Sequence, residues 1–404
     1  MSPIDPSFFE PLVNASLEEI ISFRHHIHSH PELSFQEIQT SAFVSDKLTS
    51  WGISHTKGLG ALEAGQAGTG IVAIIQGKNP ESRVVALRSD LDALPITEIN
   101  PAGYCSQNKG VMHACGHDVH TSCLLGAAKI LQETREHWEG TVKLIFQPGE
   151  EKHPGGASLM IRDQVLDNPK PQAIFALHVY PHLPYGKVGY RAGQYMASAD
   201  EIYITIKGKG GHAALPHQTI DPIVMAANVL LSLQQIISRS KNPLTPSVLS
   251  FGQIHGGNAG NVIPDEVRIE GTLRCMDETW RAQAHELIKN HTIDICRALG
   301  GDAVVEIPKG YPSLFNHPET TLKVKAIAEQ VVGAENVVEL DLRMAAEDFS
   351  FYTHEVPGCF FRIGTSHEGQ FTYPVHNAHF DIYEQAIGVG VKMFCAVAAG
   401  FDPA

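Results

Sequence analysis

Short apolar runs alternate with amphipathic helical stretches along most of the chain, and this alternation constrains the fold more than any other feature of the sequence. Gly70 to Gln76 and Val84 to Leu87 read as buried strands. From Thr121 the spacing of Leu124, Leu125, Ala128 and Leu131 is helical, and strand Val142 to Phe146, helix Ala157 to Leu166 and strand Ala173 to Leu177 follow. Such a pattern predicts an α/β architecture with a mostly parallel central sheet flanked by helices. Upstream, Ser16 with Glu19 reads as a capping box before Leu17, Ile20, Ile21 and Ile27, in a helix closed by Pro31, and Ser34 with Glu37 reads as a second box opening another helix.

Near Tyr190 the texture changes to strand Glu201 to Lys207, helix Pro222 to Ser238, strands Val248 to Gln253 and Val267 to Leu273, and helix Glu278 to Leu299. After Gly310 the first pattern resumes with helix Leu322 to Val332, strand Val337 to Leu340, helix Asp348 to His354, strand Cys359 to Ile363 and a final helix Ile382 to Ala399. A chain of 404 residues exceeds what one hydrophobic core usually organises. The expectation is therefore a main domain from residues 1–187 and 306–404, with a smaller α+β domain, residues 188–305, inserted into it.

The formal charge of −14, with no Lys/Arg run to offset it, repels phosphate backbones and argues against nucleic acid as a partner. Small molecules remain. No stretch approaches the roughly 20 apolar residues of a membrane span, and Met1 to Glu19 carries no basic patch followed by an apolar run. Together with seven scattered cysteines, an odd number that suits reduced thiols, this predicts a cytoplasmic protein.

The chain holds 22 histidines, several of them clustered. The densest group is His113-Ala114-Cys115-Gly116-His117-Asp118-Val119-His120, a thiol and three imidazoles in a loop that enters a helix. Thiolate and imidazole suit zinc and its neighbours, and a helix N-terminus favours the deprotonated cysteine. Next come the adjacent carboxylates Glu150 and Glu151, just past a strand, where open α/β sheets place ligands. Because consecutive residues point differently, one could hold a metal while the other serves an attacking water as general base. His178 ends an apolar run, and Pro374 to Phe380 carries His376 and His379. Asp90 and Asp92 alternate along an extended segment, so that one can face the site while the other orients a ligand histidine from behind.

Taken together, these segments resemble the family of aminoacylases, hippurate hydrolases and indole-acetyl-amino-acid hydrolases, within the carboxypeptidase-G-like clan of dinuclear metallopeptidases. The markers run from Arg24-His25-His26-Ile27-His28 and Pro31-Glu32-Leu33 through Ser89 to Pro95, His113 to His120, Pro148 to Glu151, Ala176 to Val179 and Gly208 to Pro216 to Glu347-Asp348-Phe349. The resemblance implies an amidohydrolase of N-acyl-L-amino acids carrying two divalent ions (Zn, Mn, Ni or Co), held by Cys115, His117, Glu151, His178 and His376. It implies Glu150 as general acid/base. It also implies a ferredoxin-like lid and dimerisation domain whose His212 polarises the scissile carbonyl, often across a homodimer or higher homo-oligomer. Asn261 and Arg274 match substrate-binding positions, where a guanidinium could pair with the carboxylate of an amino-acid product. Ala378 stands where the family usually has proline, which leaves His376 and His379 as rival ligands. Asp90-Leu91-Asp92 replaces the His-x-Asp of the wider clan and fits the subgroup that uses Cys115.

Two other readings stay open on the residues: a dipeptidase or aminopeptidase of the same clan, and a metal-binding pseudoenzyme. The Glu150-Glu151 pair speaks against the latter, since a purely structural site needs no base. The glycines between Gly58 and Gly70 lack the G-x-G-x-x-G spacing of a dinucleotide enzyme.

Overall fold

The computed structural model describes residues 5–63 and 65–403, so the first four residues of the Met1 to Glu19 stretch lie outside the described residues. The helices are α1 Glu10–Ser29, α2 Ile38–Ser50, α3 His117–Glu133, α4 Gly156–Arg162, α5 Pro222–Gln235, α6 Glu278–Ala298, α7 Pro318–Val332, α8 Ser350–Glu355 and α9 Ala386–Gly400. The strands are β1 Ser54–Leu59, β2 Gly70–Gln76, β3 Val84–Asp90, β4 Thr141–Gln147, β5 Ala173–Pro184, β6 Val188–Tyr190, β7 Gly193–Met196, β8 Asp200–Lys207 and β9 Gly211–His212. They continue with β10 Ser247–His255, β11 Val262–Ile263, β12 Glu266–Cys275, β13 Asp302–Glu306, β14 Leu314–Asn316, β15 Val337–Glu339 and β16 Gly358–Ser366.

Two compact units result: one from residues 1–193, 315–341 and 348–404, the other from 194–314 and 342–347. The first is built on an eight-stranded sheet of order β1-β2-β4-β3-β5-β16-β6-β15. Its centre, β4-β3-β5-β16, is parallel throughout, while β1, β2 and the β16–β6 pair are antiparallel. All seven residues of β4 are buried, as parallel strands covered by helices on both faces must be. The nearly wholly apolar α9 packs against α3, α1 and α7. The mixed α/β class read from the sequence is the class observed.

The second unit runs β8-α5-β10-β12-α6-β13, and its antiparallel sheet has the order β10-β12-β8-β13, a ferredoxin-like arrangement. β8 alternates buried and outward residues. Its Ile202, Ile204 and Ile206 pack with Met225, Val229 and Leu233 of α5 and with Ala284 and Ile288 of α6.

Neither expected capping box forms. α1 begins at Glu10, so Ser16 and Glu19 sit inside the helix, and the Glu19 carboxylate instead takes the Lys129 ammonium at 2.5 Å. α2 begins at Ile38, and the N–H groups of Gln39 and Thr40 in its first turn donate to Glu32. Ser34 and Glu37 are drawn away by partners distant in sequence.

Candidate metal centre

β3, β4 and β5 are neighbours in the parallel part of the sheet, so their C-terminal ends lie side by side, where such sheets place ligands. Asp90 closes β3, Gln147 closes β4 ahead of Glu150-Glu151, and His178 lies within β5. Cys115 and His117 arrive from above through Gly116, which caps α3 at φ +85; a Cβ there would lie 2.5 Å from Val179 Cγ2. Only glycine lets the loop come this close.

Cys115 Sγ lies 3.4 Å from His178 Nε2, and His376 Nε2 lies 3.1 Å from Glu151 Oε1. One donor atom from each of Cys115, His117 and His178 falls within 4.8 Å of the others, as it does for Cys115, Glu151 and His376 and for His117, Glu150 and Glu151. The ring tautomers are set from behind. His178 Nδ1 donates to the Val179 carbonyl at 2.8 Å, leaving Nε2 as the acceptor that faces Cys115. His117 Nδ1 bonds Asp92 at 3.1 Å. His117 Nε2 is buried without a hydrogen-bond partner, with Asp90, Glu150 and Glu151 oxygens at 3.7, 4.0 and 3.9 Å. A buried imidazole nitrogen ringed by carboxylates just beyond hydrogen-bonding range fits a cation among them, and a thiol, imidazoles and carboxylates make a donor set suited to zinc-like ions.

Electrostatics point the same way. Burial, then Glu151, Glu150 and Asp90, push the Cys115 thiol far above its ordinary value, so a thiolate there needs a positive charge beside it. Burial opposes a charged His117, but Asp90, Asp92 and Glu151 outweigh it and raise the imidazole to about 10.

Asp92 holds the ensemble: besides His117 it accepts the peptide N–H groups of Glu150 and Glu151 at 3.1 and 3.0 Å. Asp90 faces His120 Nδ1 at 2.7 Å, and His120 Nε2 accepts from Val179 N, so both ring nitrogens of His120 are satisfied and it has none left for a metal. The two histidines of the late segment sit in different surroundings. His376, at the strained φ of +66, is fixed by its N–H on the Ala114 carbonyl and faces Glu151. His379 stacks on Tyr373. His376→Ala is accordingly expected to lose bound metal and His379→Ala to keep it, by elemental analysis of the purified variants; equal metal content in both would reject His376 as a ligand.

Beyond Asp90 and Asp92, sequence reasoning assigned no role to the polar shell behind these groups. Buried Arg88 donates to Gln147, Asp90 and Asp348 at 2.9, 2.7 and 2.8 Å, and Asp348 also accepts from Gln147 and Ala157 N. Arg88 follows directly on the apolar run Val84 to Leu87, and a guanidinium continuing a buried strand demands carboxylate partners, a signal the sequence did carry. Farther out, buried Arg24 joins Asp118, Asp381 and Glu384 at 3.0, 2.5 and 3.0 Å. His28 spans Asp118 and Glu98 and is raised to about 9: burial opposes its charge, and Asp118 and Glu98 overcome it.

His212, Asn261 and Arg274 all belong to the second unit. His212 pairs with Val262, and the Asn261 carbonyl accepts from Ala213 N, so these two are neighbours. Ala214 N–H donates to His212 Nδ1 at 3.1 Å, which puts the proton of the neutral ring on Nε2. Arg274 lies elsewhere, opposite Val248 near the far end of β12.

The family model of peptidase family M20/M25/M40 matches residues 86–400. An N-acyl-L-amino acid amidohydrolase of Geobacillus stearothermophilus is 43% identical over 309 residues, 76% of this chain and 80% of that protein. An N-acetyl-L-cysteine deacetylase of Bacillus subtilis is 39% identical over 378 residues, 93% of this chain and 87% of that protein. The crystal structure of a dinuclear metal-binding M20 peptidase of Bacillus subtilis superposes with a TM-score of 0.81 at 32% identity, covering 96% of this chain and 98% of the other. A donor set gathered at the ends of parallel strands and a family match that spans both units lead to one conclusion: the chain belongs to peptidase family M20/M25/M40.

Proposed function

We propose that the protein is a dinuclear amidohydrolase that cleaves N-acyl-L-amino acids, with acetyl, benzoyl or similar acyl groups, to a carboxylate and a free amino acid. The observation that carries the reading is the divergence of two adjacent carboxylates. Both have an oxygen about as far from His117 Nε2, at 4.0 and 3.9 Å, but Glu151 also meets His376 at 3.1 Å, whereas buried Glu150 accepts the Asp348 N–H at 3.4 Å. One can hold a metal while the other handles protons. The names of the relatives, amidohydrolase and deacetylase, support the substrate class.

Cys115, His117, His178, Glu151 and His376 would hold two divalent cations, for which zinc, manganese, nickel and cobalt are candidates. Bound there, the cations supply Lewis acidity to the carbonyl and acidify water. Glu150 takes the proton of the attacking water as its oxygen bonds the acyl carbon, then delivers a proton to the amide nitrogen as the C–N bond breaks. His212 offers Nε2–H to the oxygen that gains negative charge, and Arg274 is suited to pair with the substrate carboxylate.

Those last two residues imply a second copy. Glu266 and Arg274 are eight positions apart on β12, about 26 Å at the usual strand rise, and His212 lies beyond the Glu266 end, where Glu266 pairs with Lys207. One small substrate cannot touch both from a single second unit. Strand β10 at the sheet edge and exposed Ile223, Val224 and Leu231 on α5 offer surface for a homodimer. No described helix is long and apolar enough to cross a membrane. All seven cysteines are free, which supports a cytoplasmic setting.

The test is release of free amine from a panel of N-acyl amino acids. Activity is expected to vanish on exhaustive chelation and return with zinc, manganese, nickel or cobalt; turnover that survives removal of all bound metal would exclude this chemistry.

A further inference from the structure

The capping box that does not form leads to a role for Glu37. Its carboxylate is wholly buried and does not cap the helix that follows it. Oε1 accepts the N–H groups of Phe35 and Gly149, each at 2.8 Å, and Oε2 accepts the Thr69 hydroxyl at 2.6 Å. Gly149 immediately precedes Glu150 and has φ +58, and a Cβ on it would lie 2.3 Å from the Phe35 ring. Glu37 therefore clamps one turn, Phe35, against the bare face of another. Ser34 completes the arrangement by donating to Asp92 at 2.6 Å. The N–H groups of Gly149, Glu150 and Glu151 all end on two buried carboxylates, Glu37 and Asp92.

We propose that Glu37 is a positioning residue, which sets the Glu150 carboxylate in its working place by holding the Gly149 peptide. This rests on the reading of Glu150 as the proton-transferring group. What matters at Glu37 is an acceptor at the right distance. Burial and the neighbouring Asp92 push its carboxyl up to about 7, so the environment does not demand a charge. In the Glu37→Gln variant the new side chain could keep its amide oxygen on Phe35 and Gly149 while its NH₂ donates to the Thr69 hydroxyl.

The order of variants is therefore distinctive. Glu37→Gln should retain most of the wild-type kcat. Glu37→Asp, which keeps the charge but withdraws the acceptor by one methylene, should lose more. Glu37→Leu, which leaves two buried N–H groups unpaired, should lose on the order of 100-fold. KM and metal content should hold throughout. Rates are normalised to folded, metal-loaded protein, and Glu32→Gln, which weakens only the cap of α2, serves as the stability control with unchanged kcat. Glu37→Asp equal to or better than Glu37→Gln would overturn the proposal, as would a loss confined to KM, and Glu37→Asp keeps the test open if Glu37→Leu does not fold. Glu150→Gln is assayed alongside. If it stays active, the reading of Glu150 fails; if it is inactive while Glu37→Asp and Glu37→Leu turn over normally, the positioning role alone fails.

Discussion

Glu150→Gln is expected to lose on the order of 100- to 10,000-fold in kcat while binding its metals as the wild type does. The substitution is nearly isosteric, and the amide oxygen can still accept the Asp348 N–H that the carboxylate accepts now. The turn itself is held by main-chain bonds to Asp92 and Glu37 that do not involve the Glu150 side chain. What disappears is a group able to take a proton from water and return one to nitrogen. The diagnostic pattern is normal metal stoichiometry and near-normal KM with collapsed kcat. A variant that still turns over at the wild-type rate would remove Glu150 from the mechanism.

His212→Ala is expected to cost on the order of 100-fold or more in turnover, again with metals retained. The side chain is exposed, and among the described residues it bonds the nearby Ala214 N–H, so folding should hardly notice its removal. The transition state should, because on the proposed mechanism a donor to the developing negative charge is lost. Co-refolding this variant with Glu150→Gln separates two arrangements. If a second copy supplies His212, mixed dimers contain a site with both an intact Glu150 and an intact His212, and activity reappears; if each copy serves itself, every site remains defective. Undiminished turnover by His212→Ala alone would dismiss it as an oxyanion donor.

The segments proposed to bind metal were legible because they lie where periodic patterns stop. The segment from His113 to His120 runs from a loop into the first turn of α3, and Glu150-Glu151 follow the apolar run of β4. What the sequence hid was partnership across distance. Ser34 and Glu37 carry the local signature of a capping box, and local chemistry would let them cap. Yet Asp92 and Gly149 lie 58 and 112 positions away and claim them instead. Three donors that the fold brings together, Phe35 N–H, Gly149 N–H and the Thr69 hydroxyl, converge on Glu37, and no local pattern announces them. The unmarked strand β1 failed differently: mostly polar and exposed at the sheet edge, it has no apolar alternation to betray it.

Arg24 ties the first long helix to Asp118, the residue after His117, and to Asp381 and Glu384 near the other extremity. His376, facing Glu151, comes from that same late stretch. During synthesis the amino-terminal portion emerges first, so a nascent chain displays Cys115, His117, Glu150 and Glu151 long before the groups that finish and brace their surroundings have left the ribosome. The cluster therefore closes only when early and late stretches of the chain have met, which makes its assembly a matter of long-range contacts that local structure cannot complete alone.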